Sequence, residues 1–76
     1  MSMLRANSQI PLYMQLYRQL RSEIEQGALQ LGGQLPSERQ LAADYGISRL
    51  TARKALSMLR EEGVISARRG RGSFVS

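Results

Sequence analysis

Cysteine and histidine are both absent from this 76-residue chain. Without cysteine there is no disulfide framework and no thiolate metal site. Without histidine the commonest general base and the commonest metal ligand are missing, which leaves an enzyme as the weakest reading and names no catalytic, metal or cofactor residue. Aromatics are sparse, and one phenylalanine and three tyrosines are too few and wrongly placed for platforms that stack RNA bases. No apolar run approaches the roughly 18–20 residues of a membrane span, and the opening MSMLRANSQIP lacks the long apolar core of a signal peptide. A cytoplasmic protein with no membrane partner is expected. A chain this short buries only about 60% of its unfolded surface, which leaves little room for a deep ligand cavity.

Acids are scarce too: six against 11 cations, for a net charge of +5. All but one of the cations are arginine, whose planar fork suits phosphates and guanine edges. Their distribution matters more than their total. Residues 1–36 hold three cations and two acids, whereas residues 37–76 hold eight and four. Between positions 45 and 60 there are four cations and no acid, and between 64 and 76 three arginines and no acid. Such patterning points to a polyanion as partner.

Four segments carry regular structure. Pro11 suits the first turn of a helix, after which Leu12, Leu16, Leu20 and Ile24, with Tyr13 and Tyr17, share one face up to a stop near Gly27. QLGGQLP then breaks the pattern. Ser37 and Gln40 have capping-box spacing and open a second helix, ERQLAADYG, with Leu41, Ala42 and Tyr45 on its apolar side. Gly46 ends it, Ile47 is expected buried in the turn, and Ser48 caps a third helix. There Ala52, Ala55, Leu56 and Leu59 form one stripe, while Arg49, Arg53 and Arg60 cluster on another face, flanked by Leu50, Lys54 and Ser57. Gly63 terminates this helix, and VISAR and SFVS form a hairpin about RGRG. The expected class is α+β, mainly α: a winged helix-turn-helix domain over residues 10–76, after a flexible lead-in at 1–9.

Cations at a helix N-terminus are mildly unfavourable, by about 0.3–1 kcal/mol each. An outside anion would remove that penalty. In a helix-turn-helix the second helix enters the major groove with its N-terminal residues facing base edges. The third helix, about 48–62, would thus aim Arg49 and Arg53 at bases and phosphates. Thr51 could offer its hydroxyl and nearby backbone N–H groups to a phosphate. Arg39, in the first turn of the preceding helix, is placed for neighbouring phosphates or a base at the site edge. In the wing, about 68–72, Gly70 and Gly72 let the backbone approach a minor groove while Arg69 or Arg71 inserts. GRGSFV has the start of a dinucleotide fingerprint, but its third glycine is missing and no helix follows.

The string PLYMQLYRQLRSEIEQG–LPSERQLAADYGISRLTARKAL–LREEGVISARRGRGSFV resembles the N-terminal winged-helix domain of the GntR family of bacterial transcription regulators, over about residues 10–75. PLYMQ and TARKAL are most similar to its HutC-type branch. The resemblance implies dimers on palindromic double-stranded operators, usually repressors released by a small metabolite. It also implies DNA contacts by Arg39, Arg49, Thr51, Arg53 and Gly70. With their neighbours the candidate interface is Arg39, Ser48, Arg49, Leu50, Thr51, Arg53, Arg69, Gly70 and Arg71. Two departures show: Leu29-Gln30-Leu31-Gly32 replaces the usual L-x-P-G, and Ala52 stands where a β-branched residue is usual. Such regulators also carry a C-terminal effector-binding and dimerising domain, so this chain is expected to be one part of a longer, nucleoid-associated protein. The rival reading is a winged helix that docks an acidic protein.

Overall fold

The computed structural model describes residues 4, 5 and 9–76. Three helices precede one hairpin: α1 (Leu12–Glu25), α2 (Glu38–Tyr45), α3 (Arg49–Glu61), β1 (Ile65–Arg68) and β2 (Gly72–Val75). The α+β, mainly α architecture is the winged helix-turn-helix expected. Of the expected lead-in, only Leu4, Arg5 and Gln9 fall among the described residues. Leu4 packs on the core, and the Arg5 backbone exchanges two hydrogen bonds with the Gln15 amide, at 2.7 and 2.8 Å.

The core is built by α3 packing on both α1 and α2. Leu16 and Leu20 of α1 and Leu41 of α2 meet Ala52, Ala55, Leu56 and Leu59, with Ile65 and Val75 closing one end. The α3 stripe is the one its spacing predicts. Alanine at two of its four positions leaves room for neighbouring backbone, and both alanines are fully buried. The α1 stripe is narrower than expected, since Leu12 and Ile24 are only half-buried.

Local chemistry sets the boundaries. Pro11 is the N-cap of α1 rather than its first helical residue: its ψ of 148° is extended, and its carbonyl accepts from Met14 and Gln15. At α2, Ser37 Oγ accepts from the Gln40 amide at 3.0 Å, but the Gln40 side chain turns to Asp44 instead of closing the box. Gly46 ends α2 at φ +65°, a left-handed conformation that costs other residues roughly 1–2 kcal/mol. Ile47 in that turn is half-buried against the core rather than fully enclosed.

The strands pair antiparallel from Ile65↔Val75 to Arg68↔Gly72. Between them Gly70, at φ +74°, takes the third position of a turn closed by the Arg71 N–H on Arg68 O at 2.9 Å. A left-handed residue there is what such a turn requires. QLGGQLP, read as a plain break, has a further role. It runs along the free edge of β2, with Gly32 donating to Val75, Val75 to Gly33 and Leu35 to Ser73 at 2.8–2.9 Å, and Gln34 bridging to Phe74. The hairpin is thereby backed by an irregular third strand.

Candidate nucleic-acid interface

An open cleft of about 260 Å³ lies where the start of α2, the outer face of α3 and the start of β2 meet. Arg39, Arg49 and Arg60 line it against a single carboxylate, Glu38. Pro36, Leu56 and Gly72 add apolar surface or bare backbone. The three arginines come from separate helical turns, so the cluster exists only because α2 folds across α3. Arg60, outside the nine expected residues, belongs to it, and its Nη2 leans on Ser57 Oγ at 3.1 Å.

The start of α3 is held by its cap. Ser48 Oγ accepts the Thr51 N–H at 3.0 Å and lies 2.8 Å from Thr51 Oγ1. Of the backbone N–H groups at this helix start, that of Thr51 is taken by Ser48, because a serine N-cap accepts the N–H three residues on, and the Thr51 hydroxyl shares a hydrogen bond with the same serine. The preceding amides of Arg49 and Leu50 stand ahead of that bond, in the turn whose N–H groups lack helical partners. Both side chains are exposed, Leu50 by 70%.

Arg53 is exposed yet engaged. Its Nε and Nη2 donate to the two carboxylate oxygens of Glu38, each at 3.1 Å. Those hydrogen bonds, then the charge of Glu38, hold the Arg53 pKa above the ordinary arginine value, with desolvation opposing. Lys54, one residue on, turns away to α1 and sits 4.1 Å from the centre of the Tyr13 ring. Its expected place on the flank of the arginine face is thus a contact with α1.

The hairpin tip projects Arg69, Gly70 and Arg71 to solvent. Arg68 covers the Phe74 ring at 5.2 Å, and Gln34 Nε2 donates to the Arg71 carbonyl at 2.6 Å. Gly72 has φ +108°, and a Cβ there would come within 3.0 Å of that same Gln34 nitrogen. The nine expected residues therefore form two groups. Six gather at the starts of α2 and α3, and three stand beyond the cleft at the tip.

Arg60 was placed beside Arg49 and Arg53 by helical spacing but left out of the nine expected residues, whereas Glu38 and Gln34 went unread. Those two had no signal, because their partners lie 15 and 37 positions away.

A helix-turn-helix whose second helix presents arginine, backed by a basic hairpin, defines the winged-helix class. The sequence model of the family described as bacterial regulatory proteins, gntR family, matches residues 12–75. The chain belongs to the GntR family. It is 51% identical over 69 residues to the HTH-type transcriptional repressor NagR of Bacillus subtilis, covering 91% of this chain and 28% of NagR. Among solved structures it is similar to YtrA of Sulfolobus acidocaldarius, a GntR-family transcription factor, with TM-score 0.89 and 36% identity over 96% of this chain and 77% of that one. AraR(DBD), solved in complex with operator ORX1, superposes with TM-score 0.87 and 30% identity over the whole of both chains. The chain spans less than a third of the length of the curated relatives it matches.

Proposed function

We propose that this chain binds double-stranded DNA sequence-specifically, as the DNA-reading part of a bacterial transcription regulator. The observation that carries this is the meeting of Arg39, Arg49 and Arg60 around an open cleft between α2, α3 and β2. An arginine cluster without a matching set of acids suits a phosphate backbone, and a helix start beside it suits a major groove. In this reading the helix at about 48–62 enters the major groove. Arg49 and Arg53 read base edges, Arg39 meets phosphates at the border, and the Leu50 side chain offers an apolar contact to a base. Ser48 and Thr51 act by fixing the helix start and keeping the amides of Arg49 and Leu50 turned to a phosphate. The wing at about 68–72 lays Gly70 along a minor groove while Arg69 or Arg71 inserts. An operator in the AraR(DBD) complex and a repressor in NagR support this assignment.

Finer parts of the proposal rest on the sequence. The segments PLYMQ and TARKAL favour the HutC-type branch. Two copies would meet on a palindromic operator, and a small-molecule effector would act only through a C-terminal domain of the parent protein. The parent would repress in the cytoplasm, at the nucleoid.

Fluorescence anisotropy on a GntR-type palindrome and on a scrambled duplex, titrated across salt, tests the core of it. The palindrome should bind tighter by orders of magnitude, with log affinity falling steeply against log salt as phosphate contacts release counterions. Equal, weak binding to both duplexes would leave only a basic surface, as an acid-seeking protein module would have. Sedimentation adds a second check: the free chain should be monomeric and pair only on the palindrome, and a stable free dimer would refute that.

A further inference from the structure

Arg53 is held along one edge. Its Nε and Nη2 both reach the Glu38 carboxylate at 3.1 Å, so the guanidinium plane is set by a group on another helix. A guanidinium has five N–H donors in a fixed fork, and a side-on carboxylate uses two of them. The parallel pair on the far edge, one N–H each from Nη1 and Nη2, stays available. That edge matches the O6 and N7 acceptors of guanine. To swing toward a phosphate instead, Arg53 would have to break two charge-assisted hydrogen bonds. Glu38 is the less exposed partner, its side chain 28% accessible against 55% for Arg53, and so the firmer anchor. An acid in the first turn of α2 also suits the helix dipole, but that role needs only a charge and no bond to Arg53.

We propose that Glu38 is a specificity-determining positioning residue, which turns Arg53 from a mobile phosphate-binding cation into a fixed reader of a base edge. The inference rests on the DNA-binding reading above. Its second consequence is electrostatic. The Glu38–Arg53 pair is neutral as a unit and adds little attraction to DNA of arbitrary sequence, so Glu38 sharpens the choice of site while weakening non-specific binding. Among the described residues neither Arg39 nor Arg49 has such a carboxylate partner, so both bring an uncompensated positive charge to the DNA.

The test compares wild type, Glu38→Gln, Arg53→Ala and the double variant on the palindrome and the scrambled duplex, across salt. Glu38→Gln should bind the scrambled duplex more tightly, with a salt slope steeper by about one phosphate contact. Its ratio of palindrome to scrambled affinity should fall on the order of tenfold, the size of one good bidentate base contact. In the Arg53→Ala background the same substitution should leave that ratio unchanged. An equal gain on both duplexes would overturn the inference, because Glu38 would then merely repel phosphate. A falling ratio in the Arg53→Ala background would overturn it as well, since Glu38 would be reading a base directly. Wild type that fails to tell the duplexes apart removes the DNA-binding reading itself, a failure seen without any variant. Should Glu38→Gln melt without cooperativity, Glu38→Asp keeps the charge but shortens the reach, and it too should lower the ratio.

Discussion

Helix α3 and the β1–β2 hairpin both display arginine, and they are held in different ways. Three independent constraints fix α3. Ser48 ties its first turn, a stripe of four buried residues seats it on α1 and α2, and Glu38 grips Arg53 from outside. The hairpin sends only Ile65 and Val75 into the core, and its tip is exposed from Ser66 through Gly72. A two-stranded hairpin alone is marginal in water. Here the α1–α2 loop backs β2, and Gln34 clasps the tip at the Arg71 carbonyl. The consequence is a division of labour. A rigid helix can hold donors within hydrogen-bond tolerance of a base edge, while a thin strand pair can follow a groove whose width varies with sequence.

Core truncations give the widest test of that contrast. Leu59, fully buried on α3, should cost about 2–5 kcal/mol as Leu59→Ala, a large share of the ~4–11 kcal/mol expected at ~0.05–0.15 kcal/mol per residue. Val75→Ala, at the foot of the hairpin, should cost only ~1–2 kcal/mol, the worth of a methyl or two. Urea unfolding measures both, and equal losses would mean that the hairpin shares the stability of the helices.

The same contrast should appear in recognition. Arg49→Ala should weaken palindrome binding by about 1–3 kcal/mol and blur preference at one base position, as loss of a base-edge contact does. Arg71→Ala should cost less, and mainly on sites flanked by A·T pairs, where a narrow minor groove attracts arginine. Anisotropy across a panel of flanks separates them. If Arg49→Ala loses as much on random DNA as on the palindrome, it does not read bases. Indifference of Arg71→Ala to flanking sequence would remove the minor groove from the account.

How much of this was legible in the sequence follows from where each signal lives. Period and caps are local, so the order of elements, the α3 stripe and the serine caps could be read directly. That Ser48 holds the Thr51 N–H follows from its capping role, but the further hydrogen bond between the two hydroxyls shows only in the geometry. Lys54 was placed by helical angle on the arginine flank, but Tyr13 from another helix draws it to α1. The strand-like course of Gly32–Leu35 was hidden because Gly-Gly and Pro signal a turn, and edge pairing is a property of the partner strand. Pairings such as Glu38–Arg53 and Gln34–Arg71 join distant positions and leave no periodic trace. Side-chain composition told which charges exist; folding decided which of them are free.

Gln34 offers a finer probe of the hairpin alone. Gln34→Ala removes one exposed hydrogen bond to the Arg71 carbonyl, for which ~0.5 kcal/mol is the expected loss of stability. Its larger effect should be on DNA, where a loosened tip loses the A·T-flank preference while palindrome selectivity from α3 persists. Gln34→Lys, which again presents a donor of similar reach, should restore the preference. A melting loss above that of Ser48→Ala, about 1 kcal/mol for an N-cap, would mean that Gln34 braces the core and not only the tip.

The smallest effect concerns the C-terminal end of α3, just before the chain enters β1. Tyr17 donates to Glu62 Oε1 at 2.7 Å, and Arg21 joins the same oxygen at 2.7 Å, so α1 and α3 are tied by one carboxylate. The hydrogen bond to Glu62, then burial and the charge of Glu62, raise the Tyr17 pKa above 10.0, against the opposing pull of Arg21. A raised pKa means that the folded chain prefers the protonated phenol. The stability this contributes is fully present below 10.0 and fades as pH climbs through the folded value. Tyr45, raised chiefly by burial, acts in the same direction. Urea midpoints taken at increasing alkaline pH should therefore fall more steeply for wild type than for Tyr17→Phe, which cannot ionise at that position. Parallel curves would show that Tyr17 holds Glu62 no better folded than unfolded, leaving Arg21 as the side chain that fastens α1 to the end of α3.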